Sequence, residues 1–476
     1  MFKTLTEEEF TRRAANAGRV AVFREFLADR ETPVAALSRL GADEEAFLLE
    51  SVSGGETRGR YSYLGIDPRA KVEGEGALDE LRRLFAEKPY TPAPELPSFQ
   101  GGAVGYVSYD AVKAFEPHVG LRREDETPCM AFLVCDTFLV FDNVRDTVTI
   151  VVVSDVAAYP TPHDAYAAAT AKIAATYERM LSAESIARVM AAPARAKGST
   201  GEFEGEMTRE EFRAIVENCK EAIRSGEVIQ IVPSQKFTAL TTLSPLALYR
   251  ALRVVNPSPY NFLMRIGAKT LIGSSPEELV KLDGRTASTA PIAGTRPRGA
   301  TPADDAALER ELRADVKENA EHVMLVDLGR NDLGRVSETG SVKVESFAHV
   351  ERYSHVMHLV SNVRGTLAKG RDAIDLLRAT FPAGTLTGAP KVRAMQLIAK
   401  YEKSPRGIYG GAAGYFSFTG DMDFAIVIRT MVLERGVLTM RAGAGVVADS
   451  DPDREYDETI NKAKAVFEAA KFAEEI

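Results

Sequence analysis

The sequence predicts an α+β protein with large, mainly antiparallel β-sheets packed between helices. Strand-like runs follow one another as meanders, as at 409–418, 424–433 and 437–447, with Gly420 and Gly436 in the turns. Helical periods intervene irregularly, without the strict strand–helix alternation that builds a parallel sheet. A chain of 476 residues, 45% hydrophobic and 27% charged and free of low-complexity tracts, can bury a large core. One large domain with a smaller partner, or two intergrown halves, is the expectation.

Taken in order, Thr6-Glu7-Glu8-Glu9 carries a capping-box pattern and predicts a helix running toward Ala28, with a shorter one after Pro33. A buried strand at 46–51 ends on the polar pair Glu50 and Ser51, and further strands are expected at 103–109, 131–141 and 148–153. The stretch 182–206 has no hydrophobic period and reads as a linker. It divides an N-terminal part, 1–200, from a second part, 201–476. The second part opens with a capping box at Thr208 and a helix whose stripe includes Phe212, Ile215, Val216 and Cys219, closing at Gly226. Strands follow at 228–240, 260–266 and 279–282, and helices at 245–254, 304–328, 372–379, 389–401 and from 453 to the end.

The net charge of −9 argues against a nucleic-acid surface, which needs clustered basic groups. Cys129, Cys135 and Cys219 show no metal or redox spacing and read as reduced core residues of a cytoplasmic protein. The acidic N-terminus has no signal-peptide pattern, and no apolar run is long enough to span a bilayer, so neither secretion nor a membrane is expected.

Within this frame a few groups stand out chemically. Glu318 and Glu321 are three apart ahead of an apolar run, and Glu455 and Glu458 repeat the spacing in the last helix. A single such pair is an ordinary solvated helix face, whereas two suggest a hard-cation site. Arg429 is a charge on an apolar strand, which calls for an acidic ligand or a carboxylate partner. Gly443 and Gly445 fit a dinucleotide fingerprint, but a turn rather than a helix follows, so they more plausibly let backbone N–H groups approach a small anion. The turn Thr385-Leu386-Thr387-Gly388-Ala389-Pro390-Lys391 precedes a helix whose amides can hold a carboxylate, though an ordinary helix start explains it almost as well. His322, His349, His355 and His358 lack zinc spacing, and His358, inside an apolar segment, is the best proton-transfer candidate.

Together these segments resemble the chorismate-utilising enzymes, and among them the family of anthranilate synthase large subunits (component I). The resemblance is dense from Thr208 onward and weaker before it. It rests on Ile229-Gln230-Ile231-Val232-Pro233-Ser234-Gln235, Asn256-Pro257-Ser258-Pro259-Tyr260, Ser274-Ser275-Pro276-Glu277, Pro291-Ile292-Ala293-Gly294-Thr295-Arg296, the stretch from Lys317 to Asp332, the Thr385–Lys391 turn and Glu455-Tyr456-Asp457-Glu458-Thr459.

The resemblance implies that Glu321 and Glu458 ligate Mg²⁺ directly, with Glu318 and Glu455 in support, and that the metal holds the ring carboxylate of chorismate. It implies that Tyr409, Arg429, Gly443, Gly445 and Lys462 grip the enolpyruvyl carboxylate. Glu277 is then the acid that helps the C4 hydroxyl leave, Thr295 and His358 line the ring, and Gln230 lies near the incoming ammonia. Ammonia adds at C2, after which loss of the C2 proton and of pyruvate aromatises the ring. Relatives that add water are expected to carry a Lys where Gln230 stands, and aminodeoxychorismate synthases a Lys in place of Ala293, so both positions point to anthranilate. Glu50 and Ser51, with Pro257, Ser258, Pro259 and Tyr260, resemble the two sides of an L-tryptophan inhibitor pocket, which makes 1–200 the regulatory part and 201–476 the catalytic part. No glutaminase segment with a nucleophilic Cys follows, so a separate glutamine amidotransferase subunit is expected to supply ammonia. The alternatives are aminodeoxychorismate synthase component I and a catalytically silent tryptophan-binding subunit.

Overall fold

The computed structural model describes residues 2–41, 44–51, 59–120, 128–182, 198–352 and 356–476. Two sheets dominate, one of twelve strands and one of ten. Their pairings are antiparallel except where Arg19–Leu27 runs parallel to Tyr90–Thr91. The expected class is therefore the observed one.

Both sheets draw strands from before and after residue 200. In the larger sheet the order runs from Glu204–Gly205 through Ser234–Leu240, Val437–Gly443, Thr430–Glu434, Lys269–Ser275 and Tyr260–Ile266. It then passes to Ala46–Glu50 and the other N-terminal strands. The junction is the pairing of Tyr260–Ile266 with Ala46–Glu50, in which Asn261 faces Glu50. In the smaller sheet, Met422–Ile426 and Ala412–Ser417 lead to Gly102–Val107 and Met130–Cys135.

The main core lies between the sheets. Phe47, Leu48, Phe138 and Met264 of the larger sheet share it with Val104, Tyr106, Leu133 and Tyr415 of the smaller. Phe99 packs against Phe47, Tyr63, Phe138 and Tyr415. A second core lies under the helices Ala77–Ala86 and Ala373–Thr380 on the other face of the smaller sheet. Cys129, Cys135 and Cys219 are free and buried, as expected.

Several elements differ from their sequence expectation for identifiable reasons. The first helix stops at Ala14, and Arg19–Leu27 is a strand paired along its whole length with Thr147–Asp155. Tertiary pairing there overrides a pattern that local spacing left ambiguous. Thr6 does cap the helix, but Glu9 turns to Arg12 and Arg13 instead of closing a box. The run 131–141 is two strands in two sheets, broken at Asp136. Pro233 splits 228–240 into Gln230–Ile231 and Ser234–Leu240. The helix expected at 304–328 is two, Pro302–Ala314 and Val316–Gly334, because Asp315 leaves helical geometry and caps the second with its side chain. The 20-residue helix Pro162–Leu181, an Ala-rich segment, has no counterpart in the sequence reading. Most of the expected linker and His355 lie outside the described residues.

Candidate active site

The run 424–433 is also two strands, and this break builds the site. Met422–Ile426 belongs to the smaller sheet and Thr430–Glu434 to the larger. Arg429 sits between them with φ of +48°, in the left-handed region, where the chain passes from one sheet into the other. Its carbonyl accepts from Ser274 N at 3.3 Å, and its Nη1 donates to Asn256 Oδ1 at 3.1 Å. Arg429 is thus no strand residue but the crossover, and it is buried enough that loss of hydration pulls its pKa down, against the opposing pull of Glu277.

Glu277 follows Pro276 at the head of the strand Glu278–Asp283, and its carbonyl accepts from Ile426 N at 3.0 Å. Its carboxylate accepts from Thr385 Oγ1 at 2.8 Å. Burial raises its pKa to about 7, only partly offset by the Thr385 hydrogen bond and the charges of Lys462 and Arg429. A carboxyl half-protonated near neutrality beside two cations has the properties of a general acid.

Tyr409 stands beneath the same space. Burial pushes its phenol up to about 12, so it is a neutral donor. Under it Arg406 is wholly buried, stacks on the rings of Tyr109 and Tyr409, and is neutralised by Glu402, which Arg441 also contacts. A Cβ on Gly443 would lie 2.9 Å from the Tyr409 hydroxyl, and one on Gly445 would lie 2.8 Å from Gln230 Nε2. Both positions therefore need glycine to keep the floor open. Lys462 Nζ donates to Gly443 O at 3.1 Å and pairs with Glu458 at 2.7 Å.

On another wall, His358 Nδ1 lies 3.0 Å from Gly294 O and 3.0 Å from Thr295 Oγ1. A carbonyl only accepts, so Nδ1 carries the proton and Nε2 is the basic nitrogen. Burial lowers the pKa of this ring, which keeps it neutral. Gly294, with φ of +67°, would bring a Cβ within 3.2 Å of Glu318 Oε2, which sets the turn at Gly294 and Thr295 against the first acid pair.

Glu318 and Glu321 leave the helix Val316–Gly334 on its inner side, and Glu321 Oε1 accepts from Gln230 Nε2 at 3.2 Å. Burial and the neighbouring Glu321 raise the pKa of Glu318. Burial likewise raises Glu455 in the final helix Pro452–Phe472, with Glu458 adding to it and the Ser450 side chain, Lys317 and Lys462 opposing. Glu455 Oε2 is buried without a hydrogen-bond partner among the described residues. Among the described residues no three acids, histidines or cysteines stand close enough to share an ion, so at most two of the four carboxylates reach one point. The donor set still fits Mg²⁺, which takes one or two carboxylates and completes its octahedron with water and substrate oxygens.

Glu50 and the segment from Pro257 to Tyr260 also come together. Glu50 is buried on the strand beside Tyr260–Ile266, accepts from Tyr249 Oη at 2.5 Å and pairs with Arg253 at 3.3 Å. Ser258 is buried and its carbonyl accepts from Asn261 Nδ2 at 2.6 Å, while Ser51 Oγ is buried without a partner among the described residues. The other expected anion site looks different. Lys391 turns inward to Asp332 at 2.7 Å, and Thr385 serves Glu277. His322 is fully buried against Ser361, and His349 pairs with Glu351.

The profile of the chorismate binding enzymes matches residues 44–468. The chain belongs to the chorismate binding enzyme family. It is 46% identical over 471 residues to anthranilate synthase component 1 of Streptomyces coelicolor, covering 96% of this chain and 89% of that protein. It is 41% identical to anthranilate synthase component 1 of Pseudomonas aeruginosa, covering 99% of each. The crystal structure of anthranilate synthase component I from Streptococcus pneumoniae superposes with a TM-score of 0.75 at 35% identity, covering 93% of this chain and 98% of that one. The menaquinone-specific isochorismate synthase of Escherichia coli shares the fold, with a TM-score of 0.73 at 21% identity, covering 98% of each chain. Within this chorismate binding enzyme, sequence motifs found the charged groups, but not the Arg406 and Glu402 support beneath Tyr409. A buried Glu four residues before a buried Arg was the available signal.

Proposed function

We propose that this chain is the ammonia-using component I of an anthranilate synthase, a lyase that converts chorismate and ammonia to anthranilate and pyruvate. The observation that supports it most is Glu277, an acid with a pKa of about 7 set between Arg429, Lys462 and the Thr385 hydroxyl. Arg429, Tyr409, Lys462 and the glycine floor bind the enolpyruvyl carboxylate and fix the ring. Glu277 then gives its proton to the C4 oxygen as that bond breaks, and Gln230 orients ammonia at C2 by its amide. Thr295 and His358 line the ring, and His358 takes the C2 proton. Gln230 lacks the basicity needed to activate water, and Ala293 leaves no amine for attack at the ring, so both favour anthranilate over the hydroxylated or 4-amino products.

In this reading Glu321 and Glu458 hold Mg²⁺, with Glu318 and Glu455 in support. The ion would anchor the ring carboxylate and neutralise its charge. A glutamine amidotransferase subunit supplies ammonia in the cytoplasm, and L-tryptophan inhibits from the pocket of Glu50, Ser51 and Pro257 to Tyr260. The buried free thiols suit a reducing compartment.

The test is to incubate the purified chain with chorismate, Mg²⁺ and an ammonium salt at mildly alkaline pH. Fluorescent anthranilate should appear, chelation should stop it, and Glu321→Gln and Glu458→Gln should each cut it on the order of a hundredfold or more. A chelated enzyme with full activity would remove the metal from the reading.

A further inference from the structure

Two motifs singled out in the sequence have no role in the chemistry so far, the Asp332 end of the Lys317–Asp332 stretch and Lys391 of the Thr385–Lys391 turn. In the structure they form an ion pair at 2.7 Å, and Lys391 also donates to Thr380 O at 3.1 Å. Their side chains are 12% and 15% exposed, so the pair touches solvent while lying mostly inside. A narrow cavity of about 40 Å³ is lined by Asp332, Thr380, Thr385 and Glu277, with Gly329 and Leu328 of the helix Val316–Gly334 along its side. That volume holds at least one water, and its polar lining supplies the partners a buried water needs.

We propose that this cavity is a water-filled proton path that returns to Glu277, from the Asp332–Lys391 pair, the proton it gives to the leaving hydroxyl. The proposal rests on the chorismate reading above. When the C4–O bond breaks, the Glu277 O–H proton leaves with the oxygen as water and Glu277 is left as carboxylate. It takes a proton from cavity water, which is replenished from solvent at the Asp332 carboxyl that Lys391 holds in place. Ammonia sheds one proton to solvent as it becomes the amine, so the cycle is neutral overall.

The path has two properties that a helix tether would not need. It ends on Glu277 and the Thr385 that holds it, and its other end is Asp332, in a pair that meets solvent. Burial raises Asp332 against the opposing charges of Lys391 and Arg335, and Glu277 is raised against Arg429, Lys462 and the Thr385 hydrogen bond. Burial thus favours the protonated form of both carboxyls, the form that a relay hands on.

The test compares the parent with Asp332→Asn and Gly329→Ala in the ammonium-dependent assay, from about pH 6 to about pH 9, in H₂O and D₂O. A Cβ on Gly329 lies 3.1 Å from Thr289 Cγ2 and projects into the cavity without touching the ion pair. Ala also favours the helix. Both variants should lower kcat roughly 10- to 100-fold toward the alkaline end, leave KM for chorismate unchanged, and enlarge the solvent isotope effect. The proposal is overturned if Gly329→Ala keeps the parent's kcat at every pH, or if Asp332→Asn does. Should Gly329→Ala fail to fold, Gly384→Ala adds a Cβ at another lining residue of the same cavity, 2.7 Å from Leu328 Cδ1, a side-chain end that must turn aside. A parent enzyme that makes no anthranilate refutes the functional reading instead.

Discussion

Thr385 Oγ1 donates to Glu277 Oε1 at 2.8 Å, and this bond both aims the carboxyl and tempers its acidity. A hydroxyl donor stabilises the charged form, so it draws the Glu277 pKa down from where burial alone would set it. Thr385→Val should therefore move the alkaline limb of kcat to higher pH, because the protonated acid persists further. The maximum should fall up to about tenfold from lost aim. Thr385→Ser should restore both, and an unmoved alkaline limb in Thr385→Val would contradict Glu277 as the acid.

Glu277 should also cost stability above the carboxylate range. Its folded pKa, about 7, lies above its ordinary value of 4.5. The folded state then binds the extra proton between those values, and stability falls as pH rises through that window. Glu277→Gln should abolish turnover by a factor of about 10² to 10⁴. The same variant should be about as stable as the parent near pH 4.5 and more stable by roughly 3 kcal/mol above pH 7. Denaturant midpoints at the two pH values measure this.

Arg429 is held by Asn256 and by its place at the crossover. Arg429→Ala should raise KM for chorismate roughly 10- to 100-fold, the scale of hydrogen bonds to a charged group. Arg429→Lys should recover only part, since an ammonium cannot reproduce the bidentate fork. Steady-state kinetics at saturating ammonium would show it, and an unchanged KM would place the carboxylate elsewhere.

The chain contains no tryptophan, so bound L-tryptophan reports through its own emission. Titration should show saturable binding and loss of activity together. Glu50→Gln, which removes the charge facing Arg253, should weaken both while turnover persists. Equal inhibition of variant and parent would exclude this pocket.

Those sites were legible to different degrees for physical reasons. The acid pairs, Glu277 and the glycines were readable because their chemistry lies in short local motifs. Arg429 was found as an ill-placed charge, but its left-handed crossover was not, since the strands on either side look like one apolar run. Asp136 and Asp315 broke elements in the same way, each at a single residue whose conformation is set by pairing and capping partners. The pairing of Asn261 with Glu50 and the Arg406–Glu402 support below Tyr409 depend on contacts between distant segments, which no local pattern encodes.

A site that joins amination at C2 to loss of the side chain fixes the product ratio when chorismate is consumed with Mg²⁺ and ammonium. One anthranilate and one pyruvate should form for each chorismate lost. Chorismate consumed into a 4-amino or hydroxylated product without pyruvate would contradict the account.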